Sequence, residues 1–95
     1  MKIELDGNNI NSEISFHANI AAALKFPSYY GKNLDALFDV LSADIERPLT
    51  LIWKNSDISR KKMGVEFARV VDLLRKVEAQ DSTWGLDDRF ELRLE

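Results

Sequence analysis

Apolar residues recur at strand and helix spacings along the chain and predict a series of seven elements. Residues 2–6 alternate polar and apolar side chains before Gly7, which is typical of a short strand followed by a turn. Ser12 is a candidate N-cap for a helix that runs to about Lys25 and stops before Pro27. The apolar stripe predicted for this helix is Ile14, His17, Ala18, Ala21 and Leu24, with Ile20 at its flank.

A second helix is predicted to begin at Asn33 and to end before Pro48, because proline cannot sit in a helix interior. One face carries apolar residues at i, i+3, i+4, i+7 and i+11, namely Leu34, Leu37, Phe38, Leu41 and Ile45. The opposite side carries acidic and small residues, namely Asp35, Asp39, Glu46, Ala36 and Ala43. The helix is therefore predicted to bury one face and to expose an acidic one.

The middle of the chain predicts a buried strand and a short helix. Residues 49–53 are apolar apart from Thr50, and this run is too short for a helix, so it predicts a central strand. Ser56 or Asp57 would cap a helix that reaches about Lys62. Gly64 marks the junction with the next helix.

The last third of the chain predicts a long helix, a loop and a strand. The helix carries Phe67, Val70, Val71, Leu74 and Val77 at helical spacing. Residues 81–88 are predicted to form a loop, in which Trp84 either folds back on the sheet edge or lies exposed, and residues 89–95 alternate as a strand. The order βααβααβ requires crossovers between strands, which predicts a parallel three-stranded sheet in a single α/β domain spanning residues 1–95.

Composition narrows the class of protein. With 95 residues, 13 basic and 16 acidic, the chain lacks the net basic charge that general nucleic-acid binding would require. There is no cysteine, so disulfides and cysteine metal sites are excluded, which fits a reducing compartment. The beginning of the sequence does not resemble a signal peptide, and no apolar run has the length of a membrane span. We therefore expect a cytoplasmic protein that does not act at a membrane.

Charge is distributed unevenly along the chain. Residues 28–46 contain one lysine and four acidic residues, and their charge of −3 equals that of the whole chain. Like charges at i, i+4 cost a helix about 0.2–0.5 kcal/mol, and only Asp35 lies in the first turn, where the helix dipole favours an anion. The pattern around Asp39 suits a cationic partner, although an ordinary solvated helix face would look the same. Residues 60–76 are a local exception with a charge of +4, and we interpret them as the solvated faces of a helix pair rather than as an RNA site.

The sequence offers no constellation that indicates catalysis. His17 is the only histidine and is predicted to be a buried residue bonded to a carbonyl or hydroxyl group. Without a second histidine or a cysteine there is no zinc site, and no nucleotide-binding or nucleophile motif is present. Asp35 and Asp39 project from one exposed face, which makes them a poor acid–base pair and a weak metal site. We expect a protein that is not an enzyme and has no cofactor or metal.

The run from Tyr29 to Leu41, YYGKNLDALFDVL, resembles the central motif of the barstar family, which are bacterial inhibitors of secreted ribonucleases. Residues 48–53 resemble the family's second strand with its tryptophan, and His17 matches a helix histidine. The likeness covers about the first four-fifths of the chain and is poor beyond Ala79. It implies a three-stranded parallel sheet packed by four helices, in agreement with the periodicity.

The resemblance implies stoichiometric inhibition of a ribonuclease toxin, with the acidic helix face blocking the cationic active site of the enzyme. Such a protein would be an immunity protein and a monomer until it binds its target, without direct contact to nucleic acid. The implied partner contacts are, in order, Asp39, Asp35 and Tyr29, followed by Asn33, Gly31, Ala36, Tyr30 and Ala43 as nearby contacts or shape-setting residues. Of the two tyrosines, one is expected to pack inward and the other to face the partner.

Departures from the family pattern point to a different cognate partner. The family's acidic position on the last helix is Lys76 here, unless Glu78 substitutes for it, and an interface tryptophan is replaced by Asp44. Two other classes stay open: an interaction module that binds another basic protein, and an immunity protein for a toxin of another class that uses residues 60–76.

Overall fold

The computed structural model describes residues 1–95 and contains three strands and four α-helices in the predicted order βααβααβ. The elements are β1 (Lys2–Asp6), α1 (Glu13–Leu24), α2 (Leu34–Ala43), β2 (Leu49–Lys54), α3 (Ser56–Met63), α4 (Val65–Thr83) and β3 (Phe90–Leu94). The strands are parallel and lie in the order β1-β2-β3, so β2 is central. The predicted α/β fold with a three-stranded parallel sheet is confirmed.

The sheet has one apolar and one polar face because side chains alternate along each strand. The inward side chains that belong to the buried core are Leu5, Leu49, Leu51, Trp53, Phe90 and Leu92. On the other face the register places Glu4, Ile52 and Arg93 in one row across the three strands, and of that row only Ile52 is buried. The helices thus cover one face of the sheet, whereas parallel sheets are usually covered on both.

The turn after β1 packs tightly against the start of α3. A Cβ atom at Gly7 would lie 2.1 Å from the carbonyl oxygen of Asn55, so only glycine fits there. The Ser59 hydroxyl donates to the Gly7 carbonyl at 3.0 Å and accepts from the Trp53 indole N–H at 3.1 Å. These bonds satisfy buried polar groups and hold α3 against the sheet.

The predicted caps of α3 are wrong. The helix begins at Ser56 itself, and Asn55 is the N-cap, in the left-handed conformation and without a side-chain cap bond. The Asn55 amide instead donates to the Asp6 carboxylate at 3.1 Å, which joins the carboxyl ends of β1 and β2. The side chain that would cap the helix is therefore used to tie two strands together.

The helix α1 is capped by Ser12 as predicted, but its buried face differs from the predicted stripe. Its buried residues are Phe16, His17 and Ile20. Ile14 is 83% exposed and Ala18 is also exposed, so their placement in the apolar stripe is wrong. The ring of Phe16 packs against Trp53 with centroids 5.1 Å apart, and burying this larger aromatic side chain turns Ile14 towards solvent.

The helix α2 is close to its prediction. Asn33 is its N-cap, as predicted, but the helix ends at Ala43, so Ile45 and Glu46 lie beyond it rather than on its two faces. Its buried residues are Leu37, Val40 and Leu41, and its partly buried ones are Leu34, Ala36, Phe38 and Ser42. Val40 was not part of the predicted stripe; it widens the buried face and leaves the acidic side exposed.

The helix α4 is longer than predicted, since residues 81–83 are helical rather than part of a loop. Asp81 is buried and accepts hydrogen bonds from the Arg47 side chain and from the Phe90 backbone N–H, both at 2.8 Å. These contacts join the end of α4 to the segment before β2 and to the start of β3. Trp84, the C-cap of α4, is exposed.

The outer edge of β3 is covered by side chains of α4. The Glu78 carboxylate accepts from the Leu92 N–H at 2.6 Å, and Arg75 donates to the Leu92 carbonyl at 3.1 Å. Together with Asp81 these residues recur every three positions, which places them on one side of the helix. They satisfy backbone groups that an exposed edge strand would otherwise offer to another chain.

Candidate functional site

The candidate site is built around the N-terminus of α2. The Asn33 side chain accepts from the Ala36 N–H at 2.8 Å, which caps the helix, and donates to the Gly31 carbonyl at 3.3 Å. A Cβ atom at Gly31 would lie 3.3 Å from that of Ala36, so the absence of a side chain lets the loop pass close over the first helical turn. Asn33, Gly31 and Ala36 thus form one compact unit.

The two tyrosines before α2 differ sharply in exposure, as predicted. Tyr29 is 81% exposed, whereas Tyr30 is 7% exposed. The Tyr30 hydroxyl lies 2.6 Å from His17 Nδ1, and its ring packs against Phe26 with centroids 4.8 Å apart. Burial, and to a smaller extent the charge of Glu13, raises the pKa of Tyr30, so the hydroxyl stays protonated. Tyr30 therefore anchors the loop, in contrast to its place among the predicted partner contacts, because little of its surface is free.

His17 is held between two hydrogen-bond partners in the interior. Its Nδ1 faces Tyr30, and its Nε2 lies 3.0 Å from the Glu13 carboxylate. The predicted buried histidine bonded to a hydroxyl is confirmed. Sequence reasoning missed Glu13, although its i, i+4 spacing from His17 on α1 is a signal that could have indicated the pair.

The carboxylates of Asp35 and Asp39 lie on the exposed side of α2, one turn apart. The ion pairs of the molecule are formed by other residues, so neither carboxylate is neutralised within the chain. Ala43, one turn further, is also exposed, whereas Ala36 is half-buried. Two more exposed acidic residues follow in the sequence and belong to no ion pair, and we call the set Asp35, Asp39, Asp44 and Glu46 the acidic surface. Asp44 and Glu46 lie beyond the helix, where they line a separate depression with Met1 and Lys25.

A groove of about 510 Å³ separates α2 from α4 beside the acidic surface. It is lined by Leu34, Asp35, Phe38, Arg69, Asp72, Leu73 and Lys76. Lys76, which occupies the position where the family resemblance implies an acid, is therefore part of this groove. Glu78 does not line this groove, and its carboxylate accepts hydrogen bonds from the Leu92 N–H and from the Arg75 side chain.

The basic stretch of residues 60–76 is divided in the structure. Arg60 pairs with Asp57 at 3.2 Å, and Arg75 pairs with Glu78 at 2.9 Å. Arg69 and Lys76 line the groove instead. The stretch consequently does not present a single basic patch.

No group of three or more histidine, aspartate or glutamate side chains is placed to hold a metal ion. None of the helices combines the length and the apolar character needed to cross a membrane.

Comparisons with known proteins found a matching family and a similar relative. The family model described as "Barstar (barnase inhibitor)" matches residues 1–95. A relative from Bacillus subtilis (strain 168), named "Putative ribonuclease inhibitor YrdF", is 36% identical over 94 residues, which are 99% of this chain and 98% of the relative. The match therefore includes the tail beyond Ala79, where the resemblance in the sequence was poor.

Proposed function

This chain belongs to the barstar family, and from that premise we propose that it is a stoichiometric inhibitor of a bacterial ribonuclease toxin. It would act as an immunity protein rather than as an enzyme. The observation that carries the proposal is the pair of exposed, unneutralised carboxylates of Asp35 and Asp39 beside the exposed ring of Tyr29. This arrangement supports binding to a cationic protein surface.

The proposed mechanism is occupation of the phosphate site of the enzyme. A ribonuclease of this type surrounds the RNA phosphate with cationic side chains. Carboxylates placed at the same point would form charge-assisted hydrogen bonds with those cations and exclude the substrate. Asp39 is proposed as the centre of this contact, because it lies beyond the first helical turn and its charge is not explained by the helix dipole.

The surroundings of the two carboxylates support close approach of the enzyme. Ala43 has a small exposed side chain, so the partner could reach the helix surface there. Tyr29 would add rigid aromatic contact area. Asn33 and Gly31 would act by fixing the loop that carries Tyr29 and the first turn that carries Asp35.

The test is titration of the purified protein into a panel of small secreted bacterial ribonucleases, with RNA cleavage as the readout. We expect at least one enzyme to be inhibited at a molar ratio of one to one. The variant Asp39→Ala should weaken that inhibition strongly. The control variant Glu91→Ala removes the same charge from the solvent-exposed face of the sheet and should leave inhibition unchanged.

Two results would contradict the proposal in different ways. If Asp39→Ala inhibits as well as the wild type, the acidic helix face is not the binding site. If no ribonuclease is inhibited, the target belongs to another class, such as a different toxin or another basic protein.

A further inference from the structure

The groove between α2 and α4 has walls of unlike charge. Asp35 belongs to the α2 wall, and Arg69 and Lys76 belong to the α4 wall, with Asp72 between them on the helix. The α4 wall therefore carries two cations and one anion. The floor of the groove is apolar and contains Leu34, Phe38 and Leu73.

The cations of this wall are not neutralised within the molecule. Arg69 and Lys76 are exposed, and neither belongs to any ion pair of the structure. Asp72 stands at i+3 from Arg69 and at i−4 from Lys76, so one carboxylate serves two cations at most. A net positive wall thus stands directly beside the acidic surface.

A uniformly cationic partner does not fit such a surface. Its cations would be attracted to Asp35 and Asp39 but repelled by Lys76, and like charges brought together at an interface are costly. A complementary partner therefore alternates in charge at this point, with a cationic centre and an acidic neighbour.

We propose that Lys76, together with Arg69, binds an acidic side chain that lies beside the cationic active site of the target ribonuclease. This inference rests on the proposed function. Lys76 would thereby determine which ribonucleases the protein inhibits. Asp39 provides the general attraction to a phosphate-binding site, and Lys76 disfavours those enzymes that have a cation beside that site.

The experiment uses the ribonuclease that the panel identifies and compares its inhibition by wild type, Lys76→Glu, Lys76→Met and Lys76→Arg. We expect Lys76→Glu to weaken inhibition by about tenfold or more, Lys76→Met to weaken it less, and Lys76→Arg to retain it. Lys2→Glu, on the solvent-exposed face of the sheet, is the matched control and should have no effect. Thermal unfolding of each variant separates loss of binding from the small repulsion expected between Glu at position 76 and Asp72.

The acidic partner group is then located on the enzyme. Each exposed carboxylate around its active site is neutralised in turn, and one such variant should abolish the difference between wild type and Lys76→Glu. The inference is overturned, with the proposed function intact, if Lys76→Glu inhibits as well as the wild type or better while Asp39→Ala inhibits poorly. If the panel contains no inhibited ribonuclease, the proposed function fails and this inference fails with it.

Discussion

Asp81 is the only buried acidic residue of the molecule, with 1% of its surface exposed. Burial alone would raise the pKa of Asp81. Hydrogen bonds from the Arg47 side chain and the Phe90 N–H, with the charges of Arg47 and Arg89, outweigh burial, so the pKa lies below its usual value. A group whose pKa is lowered by folding stabilises the folded state whenever it is ionised.

We expect Asp81→Asn to lower the free energy of unfolding at neutral pH by about 3 kcal/mol, because it leaves the Arg47 charge without a partner in a largely buried position. The stabilisation by Asp81 is complete above its unfolded pKa of about 3.9 and is lost as the pH falls through the lower folded pKa. The difference between wild type and variant should therefore shrink below about pH 4. Urea unfolding at several pH values measures it. The variant Asp88→Asn, at an exposed position, is the control. If the difference in unfolding free energy between wild type and Asp81→Asn stays constant down to pH 2, ionised Asp81 does not provide the stabilisation.

The neighbouring tyrosines should separate stability from binding. Tyr30→Phe removes the hydrogen bond to His17 and should lower the free energy of unfolding by about 1–3 kcal/mol, because the imidazole is left with an unsatisfied nitrogen in the interior. Tyr29→Ala should change stability by no more than about 0.5 kcal/mol, since its ring is exposed. It should instead weaken inhibition by about tenfold. Chemical unfolding and inhibition assays on both variants test these two roles. If Tyr29→Ala is less stable than Tyr30→Phe, the assignment of stability to Tyr30 and of binding to Tyr29 is wrong.

At the scale of elements, the N-cap of α2 links stability to the candidate site. Asn33→Ala removes the side-chain bond to the Ala36 N–H and should cost about 1 kcal/mol, or about 5 °C in Tm for a domain of this size. Aspartate is an equally good N-cap, so the Tm of Asn33→Asp should be close to that of the wild type. Calorimetry of the three proteins tests this, and equal melting of Asn33→Ala and wild type would show that the bond does not stabilise the helix.

The elements whose signals are local could be predicted from the sequence. The helix α2 has a capping asparagine, a regular apolar spacing and a following proline, and each of these acts within a few residues. The orientation of α1 could not be predicted in this way. Its spacing allowed Ile14 to face inward, and the choice of Phe16 instead depends on Trp53, which is 37 residues away in the chain.

The end of α4 shows the same dependence on distant contacts. The polar residues that follow Asp81 predict a loop at this point, yet Asp81 lies in the helix and is buried. Its partners are Arg47, 34 positions earlier, and the backbone of Phe90 in another element. A buried ion pair of this kind leaves no periodic signal in the sequence. For the same reason, only the structure shows that the Glu78 carboxylate is hydrogen-bonded to β3 and does not line the candidate groove.

At the scale of the whole molecule, the distribution of charge separates two contributions to binding. The acidic surface lies in residues 34–46, while the chain as a whole has a charge of only −3. The exposed face of the sheet carries both signs, including Glu4, Lys54 and Arg93. The molecule therefore has a locally negative region that would orient a cationic partner towards α2.

This orientation predicts that salt acts on the association rate more than on dissociation. The Debye length falls from about 30 Å at 0.01 M to about 10 Å at 0.1 M salt, so long-range attraction is screened while contacts at the interface persist. We expect the association rate with the inhibited ribonuclease to fall by about tenfold or more over this range. The double variant Asp44→Asn, Glu46→Gln should lower the association rate at low salt only, whereas Asp39→Ala should mainly raise the dissociation rate. Stopped-flow measurements decide this, with Glu91→Gln, Glu95→Gln as the control that removes the same charge elsewhere. An association rate that is independent of salt would mean that the acidic surface does not guide the encounter, and the carboxylates of α2 would then act only after contact is made.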